Sequence, residues 1–293
     1  MNVSVSHSTD MNFVVSYPKS GNTWNRLVAA AYGTEASHED LAQFRTAESD
    51  LSELELADIG ATHYQAVSPI PISDIDFLTQ ARLRPAAMLK LAENVSFLES
   101  RKPLLVQSHH FYKEVGGIPL WDSEWVDHVV NPVRDPREVC CSHAAHFGGS
   151  YEETARYMAQ PEASTGSSTE TSLTWMIGSW SAHVRSWLSV KDFPVFTVRY
   201  EDLKADPIGQ FYDILEFLDA PGLCVEAVED AVEKTQFDRL KKTAAEKGSP
   251  GTGHQDEFFR SGKTDGWKEE LPVEVARKIE KDHGEMMEAL GYL

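Results

Sequence analysis

The sequence predicts an α/β protein, a three-layer α/β/α arrangement in which a central parallel sheet carries helical cap segments. Two observations predict the fold class. An apolar run at residues 13–17 leads through a turn-rich loop into a helix-periodic stretch, the strand–loop–helix order of a parallel sheet. Further short apolar strands recur along the chain between helical segments. A third observation bounds the size: 293 residues with 41% apolar content suffice for a sizeable core without disulfides or a structural metal.

Phe13, Val14, Val15, Ser16 and Tyr17 read as the first strand, and residues 18–23 as the loop. The helix over 24–32 follows from Trp24, Leu27, Val28 and Ala31 at helical spacing. Residues 37–100 read as mainly helical, interrupted by Ser68-Pro69-Ile70-Pro71. Residues 104–106 form a second strand, and a third lies within 126–133 around His128-Val129-Val130. Pro136 suits the first turn of a helix running on from Arg137. The Ser/Thr-rich stretch 163–172 reads as a loop, and 173–190 as a helix whose Trp175, Trp180, Val184 and Trp187 enter the core. A fourth strand is expected over 195–198, and helices over 207–218, 225–242 and 273–290, with a loop at 248–256. No repeat or long linker interrupts the chain, so 1–293 is expected to form one domain, with 1–12 as a disordered terminus.

Charge and cysteine content narrow the function. Lys and Arg total 27 against 46 Asp and Glu, a formal charge of −19 that argues against a general nucleic-acid or heparin binder. A small anion needs only a local cluster of donors and stays open. No apolar run is long enough to span a membrane, and the polar N-terminus lacks the order of a secretory signal. Cys140, Cys141 and Cys224 imply no disulfide framework, and no Cys or His spacing reads as a zinc site, so a cytoplasmic protein is the expectation.

The loop Tyr17-Pro18-Lys19-Ser20-Gly21-Asn22-Thr23-Trp24 is a candidate anion site. Free backbone N–H groups gather at a helix N-terminus and the helix dipole adds positive charge there. Gly21 allows close backbone approach, Ser20, Asn22 and Thr23 offer donors or a cap, and Lys19 supplies a point charge. It is not a Walker A loop, and the residues alone leave open an ordinary capped helix with a surface lysine. A second candidate is Arg134, whose planar fork suits phosphate; Ser142 lies eight residues later, about two helical turns. A strand-end ion pair of Arg134 with Asp135 is the alternative. After the second strand comes Gln107-Ser108-His109-His110, and a histidine near neutral pKa is the natural general base.

Taken together these segments resemble the sulfotransferases that use 3′-phosphoadenosine 5′-phosphosulfate (PAPS). Tyr17 to Trp24 resembles the family's 5′-phosphosulfate loop, and Arg134 with Ser142 its 3′-phosphate motif. The stretch Phe258-Phe259-Arg260-Ser261-Gly262-Lys263-Thr264-Asp265-Gly266-Trp267 resembles its C-terminal Arg-Lys-Gly-x-x-Gly-x-Trp loop, with Ser261 in place of a basic residue and the second glycine displaced. Tyr200 in Arg199-Tyr200-Glu201-Asp202 and Thr235-Gln236-Phe237 echo two adenine-side segments. The matches run over most of the chain, from about residue 13 to 268.

The resemblance implies a P-loop-like fold and a PAPS-dependent sulfotransferase that releases adenosine 3′,5′-bisphosphate (PAP) and needs no metal. It implies that Lys19 contacts the bridging region of the donor, while residues Ser20, Gly21, Asn22, Thr23 and Trp24 hold the 5′-phosphate and flank the adenine. Arg134, Ser142, Arg260, Ser261 and Gly262 would meet the 3′-phosphate, with Tyr200, Thr235 and Phe237 at the base. His109 aligns with the family's catalytic base, which stands in Lys-Thr-His; Gln107 replaces that lysine. His143 and His146 would line the cleft. The acceptor is expected to be a small molecule, a phenol, alcohol or steroid-like hydroxyl or an amine, with Tyr64, Phe111, Tyr112, Trp121 and Phe147 as candidate walls. Neither nucleic acid nor membrane is an expected partner. The family's dimer motif, Lys-x-x-x-Thr-Val-x-x-x-Glu, meets Lys268, Pro272, Val273 and Arg277 here, two matches of four, which leaves a homodimer unsupported. Two other readings stay open: an ATP-dependent small-molecule kinase, and a PAP-binding scaffold without chemistry, to which Gln107, Ser261 and Asp265 lend some standing.

Overall fold

The structure is a computed structural model; it describes residues 11–44, 51, 54, 56–97, 103–166, 168–247 and 262–293. Its elements in chain order begin with β1 (Met11–Val15), α1 (Asn22–Gly33), α2 (His38–Ala42), α3 (Ala61–Gln65) and α4 (Phe77–Phe97). Next come β2 (Leu105–Ser108), β3 (Glu114–Val115), β4 (Ile118–Pro119), β5 (Val126–Val133), α5 (Pro136–Phe147) and α6 (Tyr151–Met158). Then follow α7 (Trp180–Leu188), β6 (Val195–Arg199), α8 (Tyr200–Ala205), α9 (Pro207–Phe217), α10 (Val225–Lys234) and α11 (Phe237–Lys247). The chain closes with α12 (Trp267–Glu270) and α13 (Val273–Ala289).

The four long strands form one parallel sheet in the order β2-β1-β5-β6, with β3 and β4 as a separate antiparallel hairpin. Strand side chains alternate between faces, and the sheet packs accordingly. Val14, Leu105, Val130 and Val198 share one core with residues of α1, α9 and α10. Phe13, Val15, Val106 and Val129 face the other way, onto Met88 and Leu91 of α4, Trp187 of α7 and the Trp121–Trp125 pair. A third cluster joins α5, α6, α7 and α13 through Val139, Trp180, Ile279 and Met287. The α/β/α layering and the parallel sheet are as the sequence predicts.

Four local expectations are corrected. Met11 and Asn12 belong to β1 rather than to a disordered terminus: the Met11 N–H donates to the Trp125 carbonyl (3.1 Å) and its side chain is buried. The first strand ends at Val15, because the Ser16 carbonyl turns to a histidine ring instead of the sheet. The helix expected over 173–190 is α7 alone: Gly178 takes a left-handed φ of 70° and Ser179 caps the helix through its hydroxyl, while Leu173, Trp175 and Ile177 pair sideways with Ile59, Thr165 and Ala163. The helix expected over 225–242 is two, α10 and α11. Its break falls at Thr235, whose hydroxyl donates back to the Ala231 carbonyl (2.9 Å). The loop at 248–256 lies outside the described residues. No described helix is long and apolar enough to cross a membrane.

Candidate active site

The site sits at the carboxyl ends of β1, β2 and β5, where parallel strands hand over to loops. The β1–α1 loop curls tightly, with left-handed φ at Lys19 (71°) and Gly21 (110°). A side chain at Gly21 would bring a Cβ to 3.0 Å from the Tyr200 ring, so only glycine fits between this loop and α8. Among the described residues no side chain caps α1, and no acidic residue occupies its first turn, which opens directly from the loop. The Ser20 hydroxyl is buried without a hydrogen-bond partner among the described residues.

Asn22 turns its side chain inward. Its amide donates to the carbonyls of Val14 (3.0 Å) and Ser108 (3.3 Å), and its Oδ1 accepts from Arg26 Nε (3.1 Å). That side chain fastens β1 to β2; only the Asn22 backbone is left for a ligand. Thr23 is half-buried in the first turn, and Trp24 meets Tyr200 edge-on at 5.9 Å.

Arg134, at the end of β5, binds the motifs to one another. Its Nη1 donates to the Lys19 carbonyl (3.2 Å), and its Nη2 donates to the Lys263 carbonyl (2.7 Å) and to Glu138 Oε2 (3.4 Å). The guanidinium lies over the Tyr200 ring at 4.4 Å. Glu138 continues the chain of contacts by accepting the Trp267 N–H (2.9 Å); burial pushes its pKa above the usual carboxylate value, opposed by that N–H and by Arg134. Arg134 Nε remains buried with no partner among the described residues. The alternative reading, an ion pair of Arg134 with Asp135, does not form: Asp135 pairs with Arg137 (2.7 Å) and caps α5.

Gly262 carries a left-handed φ of 60°, and a Cβ there would meet the Phe237 ring at 3.0 Å, which brings the C-terminal loop onto α11. Thr235 is buried and its hydroxyl is engaged by its own helix. Ser142 lies half-buried on α5. Arg260 and Ser261 lie outside the described residues.

His109 follows β2 and is 8% exposed. Its Nδ1 stands 2.7 Å from the Ser16 carbonyl, which can only accept, so Nδ1 carries the proton and Nε2 the lone pair. That lone pair faces the Gln107 amide at 3.0 Å. Burial pushes the imidazole down to about 4, with Arg26 and Lys19 acting the same way and the Ser16 carbonyl and Asp58 opposing them. The Lys19 charge also reaches His143, where burial is again the larger cause of a fall to about 4. The Lys19 charge therefore acts on both rings. His143 in turn stacks against Tyr157 and Phe147. His146 meets Phe147 edge-on.

Two residues that the sequence reading missed support His109. Trp175 packs edge-on against its ring at 4.7 Å, and Asp58 holds Trp175 by accepting its indole N–H (2.7 Å). Asp58 is fully buried, pairs with Arg84 at 2.6 Å and accepts the Ser108 hydroxyl at 2.7 Å. Burial alone would raise its pKa, but Arg84, His110, Ser108 and Trp175 outweigh it and hold the carboxyl below its usual value. Its partners lie 26 or more residues along the chain, so the aspartate left no local mark in the sequence. Of the candidate walls, Tyr64 and Trp121 are core residues, Phe111 is buried, Tyr112 is half-buried with its hydroxyl on Asp192, and Phe147 is 57% exposed.

Residues 9–291 match the family described as the sulfotransferase domain. The chain belongs to that family. A flavonol 3-sulfotransferase of Flaveria bidentis is 24% identical over 97% of this chain and 84% of its own length. A sulfotransferase 1A1 of Bos taurus is 33% identical over a shared stretch of 38% of this chain and 39% of that protein. Among solved structures, a mouse sulfotransferase complexed with PAP aligns over 95% of this chain and 84% of its own at 18% identity, with a TM-score of 0.54. A retinol dehydratase in complex with androsterone and inactive cofactor PAP covers 96% and 81% at 20% identity, with a TM-score of 0.56. These likenesses bear out the P-loop-like α/β fold, and family membership bears out the expected enzyme class, a PAPS-dependent sulfotransferase. Among the described residues no group of His, Cys, Asp and Glu is arranged to hold a metal ion.

Proposed function

We propose that the protein transfers the sulfuryl group of PAPS to a hydroxyl, or an amine, of a small-molecule acceptor with His109 as general base, and releases PAP. The observation that carries this reading is the state of His109: its proton is fixed on Nδ1 by Ser16, its Nε2 lone pair is free of charge at neutral pH, and the Lys19 charge stands nearby. The donor supplies an activated sulfuryl group. Two buried donors lacking partners among the described residues, Ser20 Oγ and Arg134 Nε, suit the two phosphates that PAPS carries. The α1 N-terminus, Ser20, Gly21 and Thr23 hold the 5′ end. Arg134, Ser142 and the loop at Arg260, Ser261 and Gly262 hold the 3′-phosphate. Trp24, Tyr200 and Phe237 flank the base.

Transfer is an in-line displacement. His109 Nε2 takes the acceptor proton as the acceptor oxygen bonds to sulfur. Lys19 stabilises charge on the bridging oxygen as the bond from sulfur to the 5′-phosphate breaks. In this reading the exposed Phe147, packed on His143, rims the acceptor side and suits a phenolic or steroid-like acceptor. Three free cysteines accord with a cytoplasmic setting.

The test is transfer of radiolabelled sulfate from PAPS to a panel of phenols and alcohols. The wild type labels at least one acceptor, and His109→Ala lowers kcat by about 100- to 10,000-fold while PAP still binds. Full activity in His109→Ala refutes the assignment of the base. Binding of PAP without any transfer in the wild type favours the scaffold reading.

A further inference from the structure

His109 and Gln107 lie two residues apart on one side of the β2 end, and their polar tips meet at 3.0 Å. The Ser16 carbonyl fixes the imidazole tautomer, so the nitrogen facing Gln107 is an acceptor, and Gln107 must present its NH2. The lone pair that would receive the acceptor proton is therefore already engaged in the free protein. Once His109 is protonated, Nε2–H becomes a donor, and the same contact requires an acceptor. A glutamine amide supplies either by turning over about its last torsion, whereas a lysine offers donors only.

We propose that Gln107 is a positioning residue that caps the Nε2 of His109 through its NH2 in the resting enzyme, yields that nitrogen to the acceptor hydroxyl, and turns its carbonyl to the imidazolium after transfer. The proposal rests on His109 being the base. The proton balance is simple: it leaves the acceptor oxygen, resides on Nε2, and is held there by Gln107 Oε1 until solvent removes it. The cap holds the ring oriented between turnovers, and the turned amide stabilises its charged form afterwards.

The other charged and titratable groups that act on His109 are Lys19 on the loop, Arg26 on α1, Asp58 beside β2, His110 next in sequence and His183 on α7. None of these changes its charge on substitution of Gln107, so the effect of the amide is separable from theirs.

The decisive experiment is a 15N NMR titration of the His109 ring in the full chain without ligands, for the wild type, Gln107→Met and Gln107→Glu. The wild type shows the Nδ1–H tautomer with a hydrogen-bonded Nε2. Gln107→Met, close to isosteric, loses that bond and lowers the His109 pKa by roughly one unit, about 1.4 kcal/mol, because the charge-assisted bond from the imidazolium to the turned carbonyl is stronger than the bond the neutral ring accepts, and both are gone. Gln107→Glu raises it instead, since a carboxylate accepts only and favours the imidazolium. The acid limb of the kcat/KM profile moves with the ring pKa in both variants. An unchanged ring pKa and tautomer in both overturns the proposal. A ring that shifts as stated, in a protein whose His109→Ala variant still transfers sulfate, leaves the cap standing and refutes the base assignment instead.

Discussion

Replacing Arg134 by lysine keeps the charge and removes the fork. In the structure the guanidinium spans two carbonyls on separate loops, Lys19 at 3.2 Å and Lys263 at 2.7 Å, while lying 4.4 Å over Tyr200. A lysine ammonium is a single point and can satisfy one of those carbonyls. The change deletes one charge-assisted hydrogen bond, worth about 1.5–3 kcal/mol, and a cation–π contact of about 0.5–1 kcal/mol. Arg134 is 6% exposed, so solvent screening takes little away. The sum of about 2–4 kcal/mol corresponds to roughly 30- to 1,000-fold in affinity for a ligand that needs the loops held together. Calorimetric titration with PAP reads this directly. Arg134→Lys is expected to weaken PAP by that factor and to weaken 5′-AMP, which lacks the 3′-phosphate, far less. Equal PAP affinity in the variant, within threefold, refutes the idea that Arg134 builds the site.

Three further outcomes are expected. Gly21→Ala places a Cβ at 3.0 Å from Tyr200 at a φ of 110°, so PAP binding is expected to fall at least tenfold in the same calorimetric assay. Asp58→Ala leaves Arg84 buried without its carboxylate, and urea denaturation should show a loss of about 3–5 kcal/mol. The buried rings of His109, His110 and His183 have pKa values pushed down, mainly by burial, to about 4, 3 and 3 against an ordinary 6.5. In the window between these values the unfolded chain binds more protons, so stability is full above about pH 6.5 and falls as the pH drops towards 3. Urea midpoints measured across that range check the slope, and a flat profile contradicts the burial of these rings.

The local parts of the site were legible because their chemistry is contiguous. Pro18-Lys19-Ser20-Gly21 between an apolar run and a helix announces a loop over a helix N-terminus, and the structure supplies the left-handed φ that Gly21 allows. His109 at a strand end was legible for the same reason. Trp175 was not, since its spacing with Trp180, Val184 and Trp187 imitates a helix face, while Gly178 and Ser179 start the helix later. Asp58 left no trace because its partners Ser108, Arg84 and Trp175 lie far along the chain and meet only when the sheet edge forms. The double duty of Arg134, phosphate candidate and loop tie, also needed the fold: a motif names the residue, but only the packed loops show where its three contacts go.

The central claim is a binding site for a nucleotide phosphorylated at both 5′ and 3′ positions. Calorimetric titration of the wild type with PAP, 5′-AMP and ATP, each with and without Mg²⁺, tests it most directly. The account predicts tight PAP binding that depends on the 3′-phosphate and is indifferent to Mg²⁺. Equal or tighter binding of ATP in the presence of Mg²⁺ would contradict it and return the loop at Lys19 to a kinase-like role.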